Sequence, residues 1–132
     1  MQINNVNAGW IYILTNSRYK ELIKIGKTTR TVEERAKELS KATGVPEPFK
    51  ILYKRFFEDC HQAEKDIHIY FDDERVKDAD REFFSVEPFI AIQILDRFYY
   101  EEKFKSYDVL VICKQWMSMR YEIHRAYTQI TG

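Results

Sequence analysis

Cysteine is scarce in this 132-residue chain: Cys60 and Cys113 lie far apart, with no CxxC spacing. That excludes a disulfide framework and a zinc pattern, and a reducing cytoplasm becomes the expected compartment. Net charge is also missing, because 21 Lys and Arg balance 21 Asp and Glu. Such a balance argues against a protein that coats DNA through bulk positive charge. No apolar run approaches the roughly 20 residues of a membrane span, so no membrane partner is expected. Met1-Gln2-Ile3-Asn4-Asn5 has neither the charged nor the apolar region of a signal peptide, and none is expected. Internal repeats and low-complexity tracts are absent. Gly26-Lys27-Thr28 imitates the end of a P-loop, but the first glycine of GxxxxGK[ST] would fall on Glu21. Cys60, His61 and His68 are too compressed for a standard structural zinc site.

What is present describes one soluble globular domain. Hydrophobic residues make up 45% and charged residues 32%, which excludes a disordered chain. Aromatics reach 15%, so the core or an interface is aromatic-rich. The charge is segregated. Residues 1–57 hold eleven Lys and Arg against five Asp and Glu, and residues 58–87 hold four against eleven. The last forty-five residues are near balance, with six against five. A basic half beside an acidic patch is what phosphate binding next to metal binding requires. Charge blocks that merely face water are the plainer alternative.

The stretch from Gly9 to Ala42 organises the rest. Trp10, Tyr12 and Leu14 alternate with Ile11 and Ile13, which predicts a strand covered on both faces. Residues 15–21, with Asn16-Ser17, read as a hairpin connection. Leu22 to Ile25 reads as a second strand, ended by Gly26. Thr31 and Glu34 have capping-box spacing for a helix whose apolar stripe is Val32, Ala36 and Leu39. Glu33, Lys37 and Lys41 face water. Arg35 borders the stripe, and an arginine there is either paired or waiting for an anion.

Residues 1–8 read as a loose arm. Thr43 to Pro48 is punctuation, with Gly44 ending the helix. Phe49 to Phe57 predicts a third strand, with Ile51, Tyr53 and Arg55 on one face and Lys50, Leu52, Lys54 and Phe56 on the other. Asp59 caps a helix over residues 60–71 whose buried face is Cys60, Ala63, Ile67, Tyr70 and Phe71. Glu64 borders that face, and His68 sits one turn later on the same side. Residues 72–80 read as an acidic exposed loop, and 81–86 as a short extended piece. A helix starts near Pro88, with Phe89, Ile92, Leu95, Phe98 and Tyr99 on one face. From Asp108 a helical spacing of Val109, Ile112, Cys113, Trp116, Ile123, Tyr127 and Ile130 predicts a second helix.

The expected fold class is therefore α+β. A small three-stranded, mainly antiparallel sheet is flanked by helices over residues 1–87. A helical hairpin over residues 88–132 packs on the same domain, and a homodimer through that hairpin is the sharper alternative.

Gly9-Trp10-Ile11-Tyr12, Lys24-Ile25-Gly26-Lys27-Thr28 and Glu34-Arg35, in this order and spacing, resemble the GIY-YIG nuclease superfamily. The resemblance is to the branch typified by a phage T5 DNA-binding domain. Pro46-Glu47-Pro48-Phe49, Glu64 with His68, and Glu82-Phe83-Phe84 extend it to about residues 9–87. It implies a metal-dependent DNA endonuclease of phage-related type. Tyr12 would act as, or assist, the general base, with Lys24 at the position of the second tyrosine. Arg35 would hold the scissile phosphate, and His68 would orient water or a phosphate oxygen. Glu64 would ligate Mg²⁺ or Mn²⁺. Lys27, Thr28 and Arg30 would contact the DNA backbone. Glu82 lies in the region where many members carry a polar residue, often Asn. Residue by residue, a plainer account is an ion pair between Glu64 and Arg35, a core tyrosine and a satisfied core histidine. Two other functions stay open: a catalytically silent DNA-binding module of the same fold, and a protein-interaction module using the C-terminal helices.

Overall fold

The computed structural model describes residues 5–42, 47–76 and 82–105. Up to Tyr99 the chain is one compact α+β unit. Strand β1 (Gly9–Thr15) lies at the centre of a sheet of order β3-β1-β2-β4, flanked by β2 (Ile23–Thr28) and β3 (Lys50–Phe57). Every pairing is antiparallel. Helix α1 (Val32–Ala42) covers one face, and α2 (Cys60–Tyr70) with the start of α3 (Pro88–Phe104) covers the other.

The alternation along β1 explains the two layers. Ile11 and Ile13 join Ile23, Ile25, Phe57, Ile67, Phe84 and Leu95 in one core. Tyr12 and Leu14 join Val32, Ala36, Leu39 and Phe49 in the other. Both faces of this strand are buried, as its unbroken apolar run requires. Asn16 organises the β1–β2 connection. Its Oδ1 accepts from the Arg18 N–H at 2.9 Å, and its Nδ2 donates to the Glu47 carbonyl at 2.9 Å.

Two helix caps form where the sequence places them. Thr31 Oγ1 accepts from Glu34 N–H at 3.2 Å, and Asp59 Oδ1 accepts from Gln62 N–H at 3.0 Å. Residues 5–8 are tied down rather than loose, and residues 1–4 lie outside the described residues. Asn5 Nδ2 donates to the Glu58 carbonyl, and the Asn7 carbonyl accepts from Cys60 N–H at 2.8 Å, satisfying a donor in the first turn of α2.

Four expectations change. The sheet has four strands, because Phe83–Phe84 pairs with β2 as β4. A two-residue strand is too short to leave a period in sequence. Secondly, β2 runs through Gly26 to Thr28 instead of ending there. Gly26 lies opposite Tyr12, and a Cβ on it would overlap the Tyr12 ring and hydroxyl. The glycine is needed for close approach, not for a turn. Thirdly, β3 does not keep one alternation. The register slips so that Ile13 faces Tyr53 while Leu14 faces Ile51, a bulge that accommodates Leu52. Ile51 therefore packs with the α1 core and Tyr53 with the α2–α3 core. Finally, Tyr70 and Phe89 are largely exposed, and Ala91 takes a buried place on α3.

The first helix of the expected C-terminal hairpin is α3. The second, with Cys113 and any dimer contact it makes, lies outside the described residues, as does Gly44. No helix among the described residues is long and apolar enough to cross a membrane.

Replacing Gly26 by alanine is expected to destabilise the fold by about 1–3 kcal/mol, the usual cost of overpacking. Tyr12 is fully buried and has nowhere to retreat. Urea unfolding of the Gly26→Ala variant reads that cost, and an unchanged midpoint would contradict the packing.

Candidate functional site

Strand β4 covers β2 only at Ile23 and Lys24, and Ile25 N–H still reaches the Glu82 carbonyl at 3.0 Å. His68 occupies the next ladder position, with Nε2 2.8 Å from the Ile25 carbonyl. A carbonyl only accepts, so the ring must donate from Nε2. The His68 ring also packs on Phe84, with centroids 5.1 Å apart. The histidine expected to handle water is thus engaged in holding α2 against β2.

Tyr12 crosses towards this edge over Gly26, which presents no side chain to stop it. The Arg35 guanidinium, from α1, lies near enough to the phenol to favour its ionised form. Glu82 and Glu64 are both close enough for their charges to act on it. Tyr12, Arg35 and Glu64, from three separate elements, therefore share one electrostatic neighbourhood. Burial pushes the Tyr12 phenol up to about 12; Glu82 and Glu64 add to the rise, and Arg35 opposes it. At neutral pH the hydroxyl keeps its proton and is a donor.

Glu64 is 13% exposed, and its two oxygens differ. Oε1 is 3.4 Å from Lys27 Nζ, whereas Oε2 is buried without a hydrogen-bond partner. A buried carboxylate oxygen in that condition is costly unless something binds it. Among the described residues no group of three or more His, Cys, Asp or Glu gathers to hold a metal. A hard ion such as Mg²⁺ needs less, because it keeps several waters and takes one or two carboxylates. The orphaned oxygen fits that requirement.

Arg35 pairs with Glu38 at 3.3 Å, and Glu64 pairs with Lys27, so the plain Arg35–Glu64 account does not describe this arrangement. Glu38 also takes Arg30 at 2.6 Å, and Glu34 lies 3.9 Å from Arg30. Glu38 was not singled out from the sequence; its place three after Arg35 on the helix surface was the available signal. Thr28 is buried, and its hydroxyl accepts from Arg30 N–H at 3.1 Å, shaping the loop into α1. Lys24 is 2% exposed, 3.1 Å from Glu82 and over the Phe83 ring. Its ammonium is enclosed between Glu82 and the Phe83 ring.

Beside Tyr12 on the same face, Trp10 meets Phe56 edge-on at 5.5 Å. Lys54 sits over the Trp10 ring and 2.9 Å from Glu33. An open hollow near Thr15, Asn16, Tyr19 and Glu87 contains none of these side chains.

The T5orf172 domain model matches residues 9–99, a span that starts at β1 and ends with the compact unit. The chain belongs to the T5orf172 domain family. No curated protein and no solved structure matches it. The T5orf172 match contains every side chain described above as facing the β2 edge.

Burial also raises the Tyr53 phenol to about 12, helped by its hydrogen bond to Asp96 at 2.6 Å. Both phenols hold their protons more tightly folded than unfolded, where tyrosine titrates near about 10. Their stabilising contribution is complete below pH ~10 and is lost as pH rises towards ~12. Urea midpoints across that range should fall, and Tyr12→Phe should flatten the fall. Identical slopes in the two proteins would contradict the raised phenol.

Proposed function

We propose that this T5orf172 domain is a metal-dependent DNA endonuclease of the GIY-YIG type. The observation that carries the reading is that Arg35 and Glu64 both act on the Tyr12 phenol, which lies over Gly26 of β2, while Glu64 pairs with the neighbouring Lys27. Hydrolysing a phosphodiester requires charge for the phosphate, an oriented water and help for the leaving oxygen. Each of the three residues suits one of these tasks.

Arg35 binds the scissile phosphate. To do so it exchanges Glu38, a pair in which both side chains are more than a third exposed. Such pairs contribute only about 0–1 kcal/mol, whereas a guanidinium binds phosphate through two parallel charged hydrogen bonds. Tyr12 donates its proton in a hydrogen bond and orients a water or a phosphate oxygen. Its raised pKa makes it a poor base until positive charge is added nearby. Glu64 holds Mg²⁺ or Mn²⁺, which when bound supplies that charge to the phosphate and the leaving oxygen. His68 keeps α2, and with it Glu64, in register with β2. Lys27 and Arg30 lie beside the loop leading into α1 and bind backbone phosphates.

One observation favours a second reading, a DNA-binding module of the same fold without turnover. The position of the superfamily's second tyrosine is Lys24, buried and paired with Glu82. A lysine so enclosed does not replace a phenol. Incubation of supercoiled plasmid with Mg²⁺ or Mn²⁺ decides between them. Nicked product that chelator abolishes is the expected result. A gel shift without nicking would support the binding module, and the absence of both nicking and a shift would leave either DNA reading without support.

A further inference from the structure

We propose that Lys27 and a divalent cation are alternative partners of Glu64, so that filling the cation site releases Lys27 to bind a nucleic-acid phosphate. The inference rests on the ion site proposed above and adds a coupling between that site and DNA affinity.

The geometry around Glu64 is that of a placeholder. Lys27 Nζ approaches only Oε1, at 3.4 Å. Well-made charged N–H···O contacts are about 2.7–2.9 Å, so the ammonium neutralises the carboxylate without satisfying it. Oε2 is buried and has no partner at all. A small divalent ion carrying its own waters can satisfy both oxygens, and it puts a second positive charge next to the ammonium. Lys27 is the member that can leave. It is 32% exposed, against 13% for Glu64, and its ammonium ends a flexible four-carbon stem. It also has somewhere to go. Lys27 is the penultimate residue of β2, immediately before the turn in which Thr28 Oγ1 holds Arg30 N–H. That turn leads into the N-terminus of α1, where backbone N–H groups and the helix dipole favour a phosphate.

The coupling has an unusual consequence. Removing the Glu64 charge frees Lys27 without any ion. In chelator, Glu64→Gln should therefore bind a short DNA duplex more tightly than the unmodified protein. The logarithmic salt dependence should be steeper by about 0.9, the contribution of one added phosphate contact. The double variant Lys27→Met, Glu64→Gln should lose that gain.

The test pairs this measurement with Mn²⁺ binding to the full chain without DNA, followed by electron paramagnetic resonance of free Mn²⁺. Lys27→Met should tighten Mn²⁺ binding by roughly three- to tenfold, as expected for losing one half-buried competing ion pair. Lys27→Gln is the second variant and should behave alike. Glu64→Gln should abolish the site. If Mn²⁺ binding depends on Glu64 but is indifferent to Lys27, the exchange is overturned and the ion site stands. If no Mn²⁺ site depends on Glu64, both are overturned. A Glu64→Gln variant with unchanged salt dependence in chelator also overturns the exchange.

Discussion

Glu64→Gln is expected to lower Mg²⁺-dependent plasmid nicking by on the order of 10³ or more, since metal charge on a phosphoryl transition state contributes several kcal/mol. The substitution keeps the shape and removes the charge that holds the ion. Its cost to the fold should be small, for a local reason. Oε2 is already buried without a partner, so the native carboxylate is an unfavourable guest there. Lys27, its counter-charge, is partly exposed and can be solvated by water. Removing one partner of a fully buried pair would cost several kcal/mol, but this pair is open on the lysine side. Thermal unfolding beside the nicking assay separates the two effects. Nicking that survives at the unmodified rate would move the ion site away from Glu64.

Arg35→Ala is the second large effect. Losing one preorganised donor to a developing anion typically costs about 10²–10³ in rate. The loss should appear in turnover more than in DNA affinity, because Lys27, Arg30 and the α1 N-terminus still bind backbone phosphates. Arg35→Lys should recover only part of it, since an ammonium keeps the charge but not the planar fork. A second consequence follows from the Tyr12 phenol. Arg35 is the group that opposes its upward shift, so alanine here should raise the phenol further. Stability should change little, because the Arg35–Glu38 pair is exposed on both sides. Equal nicking by Arg35→Ala and the unmodified protein would remove arginine from the phosphate role.

Much of the scaffold was legible beforehand. The alternation from Trp10 to Leu14 marks a strand buried on both faces, and that strand became the centre of the sheet. Val32, Ala36 and Leu39 mark α1, Cys60, Ala63 and Ile67 mark α2, and Thr31 and Asp59 cap them. Gly26 misled because a glycine after a short apolar run has two meanings, a turn or a close approach. Only the Tyr12 ring lying across it distinguishes them. The Leu52 bulge was invisible because a register slip depends on the partner strand.

The site divides along the same line. Tyr12, Arg35 and Glu64 came from the resemblance to the GIY-YIG superfamily, which rests on the order of motifs along the chain. Their partners did not. Glu38 takes Arg35 and Arg30, Lys27 takes Glu64, Glu82 takes Lys24, and the Ile25 carbonyl takes His68. Sequence by itself determined the strand and helix periods, the caps and the residue types able to handle a phosphate, because these are local properties of the chain. The tertiary structure decided which charge faces which, which carboxylate oxygen is left alone, and on which face Ile51 lies. Those depend on distances between segments that periodicity does not encode.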